Sequence, residues 1–167
     1  MYTLLLLLIY LAFISLGLPD SLLGSAWPVM HKAFQVPLSY AGLVTMIISG
    51  GTICSSLMSE RLTKKFGTQI VTVFSVMLTA IALFGFSTAS AFWMLCLWAI
   101  PYGLGAGAID AALNNYVALH YNSRHMSWLH CFWGLGTIIS PYVMSYALTT
   151  SVWQNGYRMV SFIQIGI

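Results

Sequence analysis

Long apolar stretches dominate the chain, and short polar connections separate them. Because the apolar residues do not alternate with polar ones, the pattern predicts helices and not strands. About 20 apolar residues are needed to cross a bilayer as a helix. The sequence therefore predicts an all-α, polytopic transmembrane helix bundle that forms one domain. Its spans are expected at about 2–30, 39–59, 69–88, 91–118, 126–149 and 156–167.

The sixth predicted span has few residues before the chain stops at Ile167. About a dozen residues make roughly 18 Å of helix at 1.5 Å per residue. That length is well below the hydrocarbon thickness of about 30 Å. We therefore expect a truncated sixth span, with the rest of the protein missing from this chain.

The composition indicates that most side chains are surrounded by lipid. Hydrophobic residues make up 59% of the 167 residues and charged residues only 5%, whereas soluble domains have about 25% charged residues. The net charge of +3 comes from six basic and three acidic residues, which leaves no basic stripe for nucleic acid. We expect a lipid bilayer as partner and no nucleic acid.

The distribution of basic residues predicts the topology. Most of them lie in the second and fourth connections, which places those connections and the amino terminus in the cytoplasm. We expect an integral, multi-pass protein of the plasma membrane. The basic residues on that side are Arg61, Lys64, Lys65 and Arg124, against Lys32 and Arg158 on the other.

Two of the three acidic residues, Asp20 and Asp110, fall inside predicted spans. A central carboxylate costs about 2.5–3.5 kcal/mol on insertion scales, so such residues usually face a cavity and serve function. Small, polar and aromatic residues surround both, and Pro19 can free a helix carbonyl for a ligand. We interpret both aspartates as proton or hydroxyl partners, although each could instead only hydrogen-bond a neighbouring helix.

Four further side chains are candidates for solute contact. Asn114 offers donors and an acceptor, and His130 is of the residue type whose charge is most easily switched near neutral pH. Trp27 and Trp133 could stack on the apolar face of a sugar, although tryptophan also anchors helices at the membrane interface. A purely structural role remains open for His130.

Enzyme and metal chemistry are not expected. His130 and Cys131 point about 100° apart on a helix, so they do not form a nucleophile and base pair. His120, His125 and His130 are spaced by five residues, which does not put metal ligands on one helix face. We therefore predict no catalytic residues, no metal and no cofactor.

Six spans, a basic connection after span 2 and a glycine-rich span 4 together resemble the amino-terminal half of the major facilitator superfamily. The segment from Gly17 to Gly24 with Trp27 and Pro28 is similar to the first helix of its fucose-permease-like sugar porters. The segment from Trp128 to Pro141 is similar to their fifth helix. The resemblance covers the whole chain.

The cytoplasmic motif of the family between spans 2 and 3 is only partly kept. Lys65 retains its basic position and Gly67 its second glycine. Glu60 and Lys64 stand where the family has Gly and Asp. With Arg61, the two retained residues are the candidates for a cytoplasmic loop gate.

The resemblance implies a transporter with two six-span halves around a central site. It further implies that acidic residues on helices 1 and 4 handle proton and sugar, and Asp20 and Asp110 match those places. We expect secondary active, proton-coupled transport of a small polar solute, first of all a sugar. The alternatives are a drug or metabolite efflux antiporter, or a channel or assembly subunit.

Overall fold

The computed structural model describes residues 2–167, and side chains from residue 4 onward. Seven α-helices and one 3-10 turn form this part of the chain, which contains no strand. The predicted all-α helix bundle is thereby confirmed. The helices are α1 Tyr2–Asp20, α2 Leu22–Ala33, α3 Ala41–Phe66, α4 Thr68–Thr88, α5 Phe92–His120, α6 Ser123–Thr150 and α7 Trp153–Gly166, and the 3-10 turn is Leu38–Tyr40.

Five segments within the described residues are long and apolar enough to cross a membrane. The first combines α1 and α2, and α3 to α6 supply the others. The shorter α7 has 14 residues. The segments are Leu4–Ala33, Leu38–Phe66, Thr68–Thr88, Phe92–His120 and Ser123–Thr150.

The connection expected at 60–68 is almost entirely helical. Helix α3 continues to Phe66, and Gly67 alone separates it from α4. A 2.6 Å ion pair between Lys64 and Glu60, four residues apart, spans one turn of this extension, and such spacing supports a helix. Gly67 has φ of +84°, a conformation that side chains disfavour, so glycine permits the abrupt change of direction.

Helix α5 is the central element, and α3 and α4 pack along it. Hydroxyl groups on α3 donate to carbonyl groups of α5 at the contact. Thr52 bonds the Gly103 carbonyl at 3.3 Å and Ser56 bonds the Gly107 carbonyl at 3.2 Å. Small residues let the two backbones approach, and hydroxyl to carbonyl bonds then join helices across the interface.

Helices α1 and α6 make a second close pair. A Cβ atom on Gly17 would collide with the backbone carbonyl of Trp133, and one on Gly136 with the carbonyl of Ile14. Backbone therefore touches backbone on both sides of this interface. The contact brings Trp133 of α6 next to the end of α1.

Two clusters of buried side chains fill the bundle at its opposite ends. One gathers residues of α2, α4, α5 and α7 around Leu22, Leu83, Leu95 and Tyr157. The other joins α1, α5 and α6 around Phe13, Ile109 and Leu129. These clusters fix the helices on both sides of the level at which Asp20 lies.

The α1–α6 contact predicts a sharp difference between two glycines of α6. Gly136→Ala should lower the melting temperature of the purified full-length protein, because overpacking a close contact costs about 1–3 kcal/mol. Gly134→Ala is the matched control, since a Cβ there has no neighbour within 4 Å. Equal melting temperatures for the two variants in detergent would contradict the backbone contact.

Candidate functional site

The first span is interrupted at Ser21, directly after Asp20. Pro19 has no backbone N–H, so the carbonyl of Ser15 four residues earlier has no partner within its helix. We expected such a carbonyl to be free for a ligand. Instead, the side-chain amide of Gln164 on α7 donates to it at 2.8 Å. The proline therefore creates a link between helices at this point.

A second proline, on α6, leads to a similar link, in which the first span supplies the donor. Pro141 leaves the carbonyl of Thr137 on α6 without its helical donor. The hydroxyl of Ser21, at the interruption of the first span, donates to that carbonyl at 2.9 Å. In hydrocarbon an unbonded carbonyl is expensive, and a neighbouring side chain commonly supplies the missing bond.

Asp20 is the meeting point of three helices. The hydroxyl of Tyr102 on α5 donates to its Oδ1 at 2.8 Å, and the indole N–H of Trp133 on α6 donates to its Oδ2 at 2.9 Å. The carboxylate nevertheless remains accessible. The first span, α5 and α6 are thus joined through a side chain that can still meet a solute or a proton.

Asp110 faces the same space from α5. It lies near enough to Asp20 for the like charges of the two carboxylates to repel each other, whereas the interaction of His130 on α6 with Asp110 is attractive. All three side chains are exposed, and Trp133 is 40% exposed. We call the accessible side of Asp20, Asp110, His130 and Trp133 the open face.

Asn114 extends this polar group by one helical turn. Its amide donates to Oδ1 of Asp110 at 2.9 Å. Its own carbonyl oxygen is buried and has no hydrogen-bond partner among the described residues. A buried oxygen without a partner is unfavourable, so a donor from a solute or from another part of the protein would be stabilised here.

Trp27 lies elsewhere. It is 3% exposed, and its indole N–H donates to the carbonyl of Leu38 at 2.7 Å. Its ring packs near His31 and Phe92. The side chain anchors the connection between α2 and α3 and does not belong to the open face.

The gate candidates lie at the end of α3. Arg61 and Lys65 are exposed, and Lys65 lies 5.2 Å from the ring centroid of Phe66. The ion pair of Lys64 with Glu60 is the one salt bridge found among side chains 4–167. Neither Arg61 nor Lys65 therefore forms a salt bridge within that part of the chain.

Sequence reasoning did not single out Tyr102, Ser21 or Gln164, although each makes a hydrogen bond that joins the first span to another helix. A tyrosine inside an apolar stretch usually signals packing. One signal was present, because Tyr102 lies two turns before Asp110 on the same predicted span. A carbonyl freed by proline was also a reason to search for a donor.

A large apolar cavity is distinct from this site. Its volume is about 590 Å³, and it lies between α1, α4, α5 and α7. Leu5, Ile9, Val73 and Val76 contribute to its wall, and none of the open-face residues does. The polar chemistry therefore lies outside this cavity.

Comparisons with known proteins identify a family and two relatives. The family model described as Major Facilitator Superfamily matches residues 9–165. The chain is 24% identical over 156 residues to Bypass of stop codon protein 6 of Saccharomyces cerevisiae, covering 92% of this chain and 31% of that protein. It is 22% identical over 155 residues to the glucose/mannose transporter GlcP of Bacillus subtilis, covering 90% of this chain and 38% of the transporter. The chain thus spans about a third of each relative.

The carbonyl of Ser15 gives a testable prediction about the interruption. Gln164→Leu should lower the melting temperature of the full-length protein, because a buried carbonyl without its donor costs about 1–3 kcal/mol. Adding Pro19→Ala should recover part of the loss, since alanine restores an N–H at that position of the helix. Gln69→Leu, at an exposed glutamine, serves as the control. An additive double variant would contradict the shared carbonyl.

Proposed function

Because the chain belongs to the Major Facilitator Superfamily, whose members are membrane transporters, we propose that it is the amino-terminal part of a proton-coupled sugar transporter. The chain is then part of an integral multi-pass membrane protein that handles a small solute. In this proposal the transporter is related to the fucose-permease-like group and resides in the plasma membrane with a cytoplasmic amino terminus. The remaining part of the protein completes the pathway.

The observation that carries the proposal is the pair of carboxylates on the open face. Asp20 and Asp110 come from different spans, interact with each other, and remain accessible. Burying two acids in a membrane protein is expensive, and their retention on one accessible face favours a role in binding protons or solute. His130 adds a third titratable group beside Asp110.

A sugar fits the remaining chemistry of the face. Trp133 exposes part of its ring, and an indole can stack on the apolar face of a sugar ring. Sugar hydroxyls can donate to the accessible carboxylate of Asp20. The name of the B. subtilis relative, a glucose/mannose transporter, supports the same solute class.

Rocking of two halves around such a site is the general mechanism by which transporters built from repeats alternate access. Under this proposal Arg61, Lys65 and Gly67 belong to a cytoplasmic gate that meets the missing half. Trp27 has no part in solute binding, because its ring is buried and its N–H is already bonded.

An efflux antiporter for organic cations is the second candidate. No lysine or arginine occurs between residues 66 and 123, so the segment that carries Asp110 supplies no basic residue to neutralise it. Two unneutralised acids can also attract a cationic solute. Competition experiments distinguish the two candidates. If the site binds sugars, excess mannose should inhibit glucose uptake and a lipophilic cation should not.

Replacement of either aspartate tests the proposal. In cells that express the full-length protein, Asp20→Asn and Asp110→Asn should each reduce glucose uptake driven by an inward proton gradient to background, because an amide cannot take up the coupled proton. Radiolabelled glucose uptake at several external pH values measures this.

Glu60→Gln is the matched control for that experiment. Glu60 is the third acidic residue of the chain, and it lies at the exposed end of α3, paired with Lys64. Its replacement should leave uptake and its pH dependence unchanged. Wild-type proton coupling in both aspartate variants would refute the proposal, and solute flux without pH dependence in the wild type would indicate a channel.

A further inference from the structure

Tyr102 and Trp133 hold the two oxygens of Asp20 in unequal surroundings. Tyr102 is 3% exposed, whereas Trp133 is 40% exposed. Oδ1 of Asp20 is therefore bonded by a group from the protein interior, and Oδ2 by a group at the open face. A solute arriving at the open face can replace the bond of Trp133 but not that of Tyr102.

The ring of Tyr102 cannot easily move away from this position. It packs edge-on against Phe86 of α4, with ring centroids 6.2 Å apart, and belongs to the buried cluster that also contains Tyr157. Helices α4 and α7 thus fix the ring from behind. Its hydroxyl is the part that reaches across to the first span.

We infer that Tyr102 is a positioning residue for solute binding, which fixes Asp20 through Oδ1 and thereby presents Oδ2 beside the ring of Trp133. This inference rests on the proposed function, because it assigns the way in which Asp20 meets the sugar. A carboxylate at the interruption of a helix has two rotatable side-chain bonds, and fixing one oxygen leaves a single orientation for the other. Preorganised groups bind more tightly because less ordering remains to be done on binding.

The groups that act on Asp20 come from several helices. Tyr102 and Asp110 approach from α5 and Trp133 from α6, while His130 acts on Asp110 from α6. Removing the hydroxyl of Tyr102 changes one donor and leaves the other three groups in place. A change in the pH dependence of binding then reports on Asp20 itself.

Tyr157 provides a matched control. It is 2% exposed and stacks on the same Phe86 ring, with centroids 5.5 Å apart. Its hydroxyl donates to the sulfur of Met30, at 3.8 Å. Tyr157→Phe therefore removes a buried hydroxyl from the same cluster without touching Asp20.

The test compares glucose uptake by the full-length protein carrying Tyr102→Phe, Tyr102→Met or Tyr157→Phe. Both Tyr102 variants should raise the half-saturation concentration several-fold, up to about tenfold, because the side chain of Asp20 must then be ordered when the solute binds. They should also shift the pH profile of uptake. Tyr157→Phe should keep the wild-type values. Because a half-saturation concentration does not depend on protein amount, reduced membrane abundance does not disturb the comparison.

The outcomes distinguish failure of the positioning role of Tyr102 from failure of the proposed function. If Asp20→Asn abolishes proton-driven uptake but Tyr102→Phe and Tyr102→Met behave like Tyr157→Phe, the positioning role is overturned and the proposed function stands. If the wild type takes up no glucose, or if both Asp20→Asn and Asp110→Asn keep wild-type proton coupling, the positioning role and the proposed function are both overturned. A several-fold rise in the half-saturation concentration, together with a shifted pH profile, in the Tyr102 variants alone supports the inference.

Discussion

The carbonyl groups of Ser15 and Thr137 each lose their helical donor to a proline four residues later, and the membrane offers no water to replace it. The structure supplies Gln164 for the first carbonyl and Ser21 for the second. Each bond crosses from one helix to another. The need to satisfy backbone groups in hydrocarbon thus holds the first span against α6 and α7, and the geometry around Asp20 depends on it.

Asp20 benefits directly from this arrangement. It is the last residue of α1, and Ser21, which follows it, is bonded to α6. The contact between Gly17 and the carbonyl of Trp133 then brings the indole within 2.9 Å of the carboxylate. A single acidic side chain is therefore held where three spans meet, and it stays accessible because the interruption turns it toward the open face.

Much of the fold could be predicted from sequence because lipid imposes a simple rule on helix length and composition. The all-α bundle followed from that rule. The same rule marked Asp20 and Asp110 as unusual, because carboxylates are rare inside membrane spans. Asp20 and Trp133 were separate candidates in the sequence, and the structure joins them by a hydrogen bond.

Other features were beyond sequence because they depend on contacts between distant residues. Trp27 and Trp133 look alike in the sequence, yet one is buried against Leu38 and the other is half-exposed beside Asp20. Nothing in the sequence around Tyr102 indicates that its hydroxyl donates to a carboxylate 82 residues away. Residues 60–66 were mistaken for a different reason, because their basic and polar side chains suggested a connection although α3 continues through them to Phe66.

The bond from Gln164 to the Ser15 carbonyl also has a consequence for biosynthesis. Its two partners are separated by 149 residues, and a ribosome needs roughly 7–30 s to add that many at about 5–20 residues per second. During that interval the first span is in the membrane without the donor that the finished fold provides. Water, a lipid headgroup or the insertion machinery must bond that carbonyl until α7 emerges, so the first span completes its contacts only after α7 has been made.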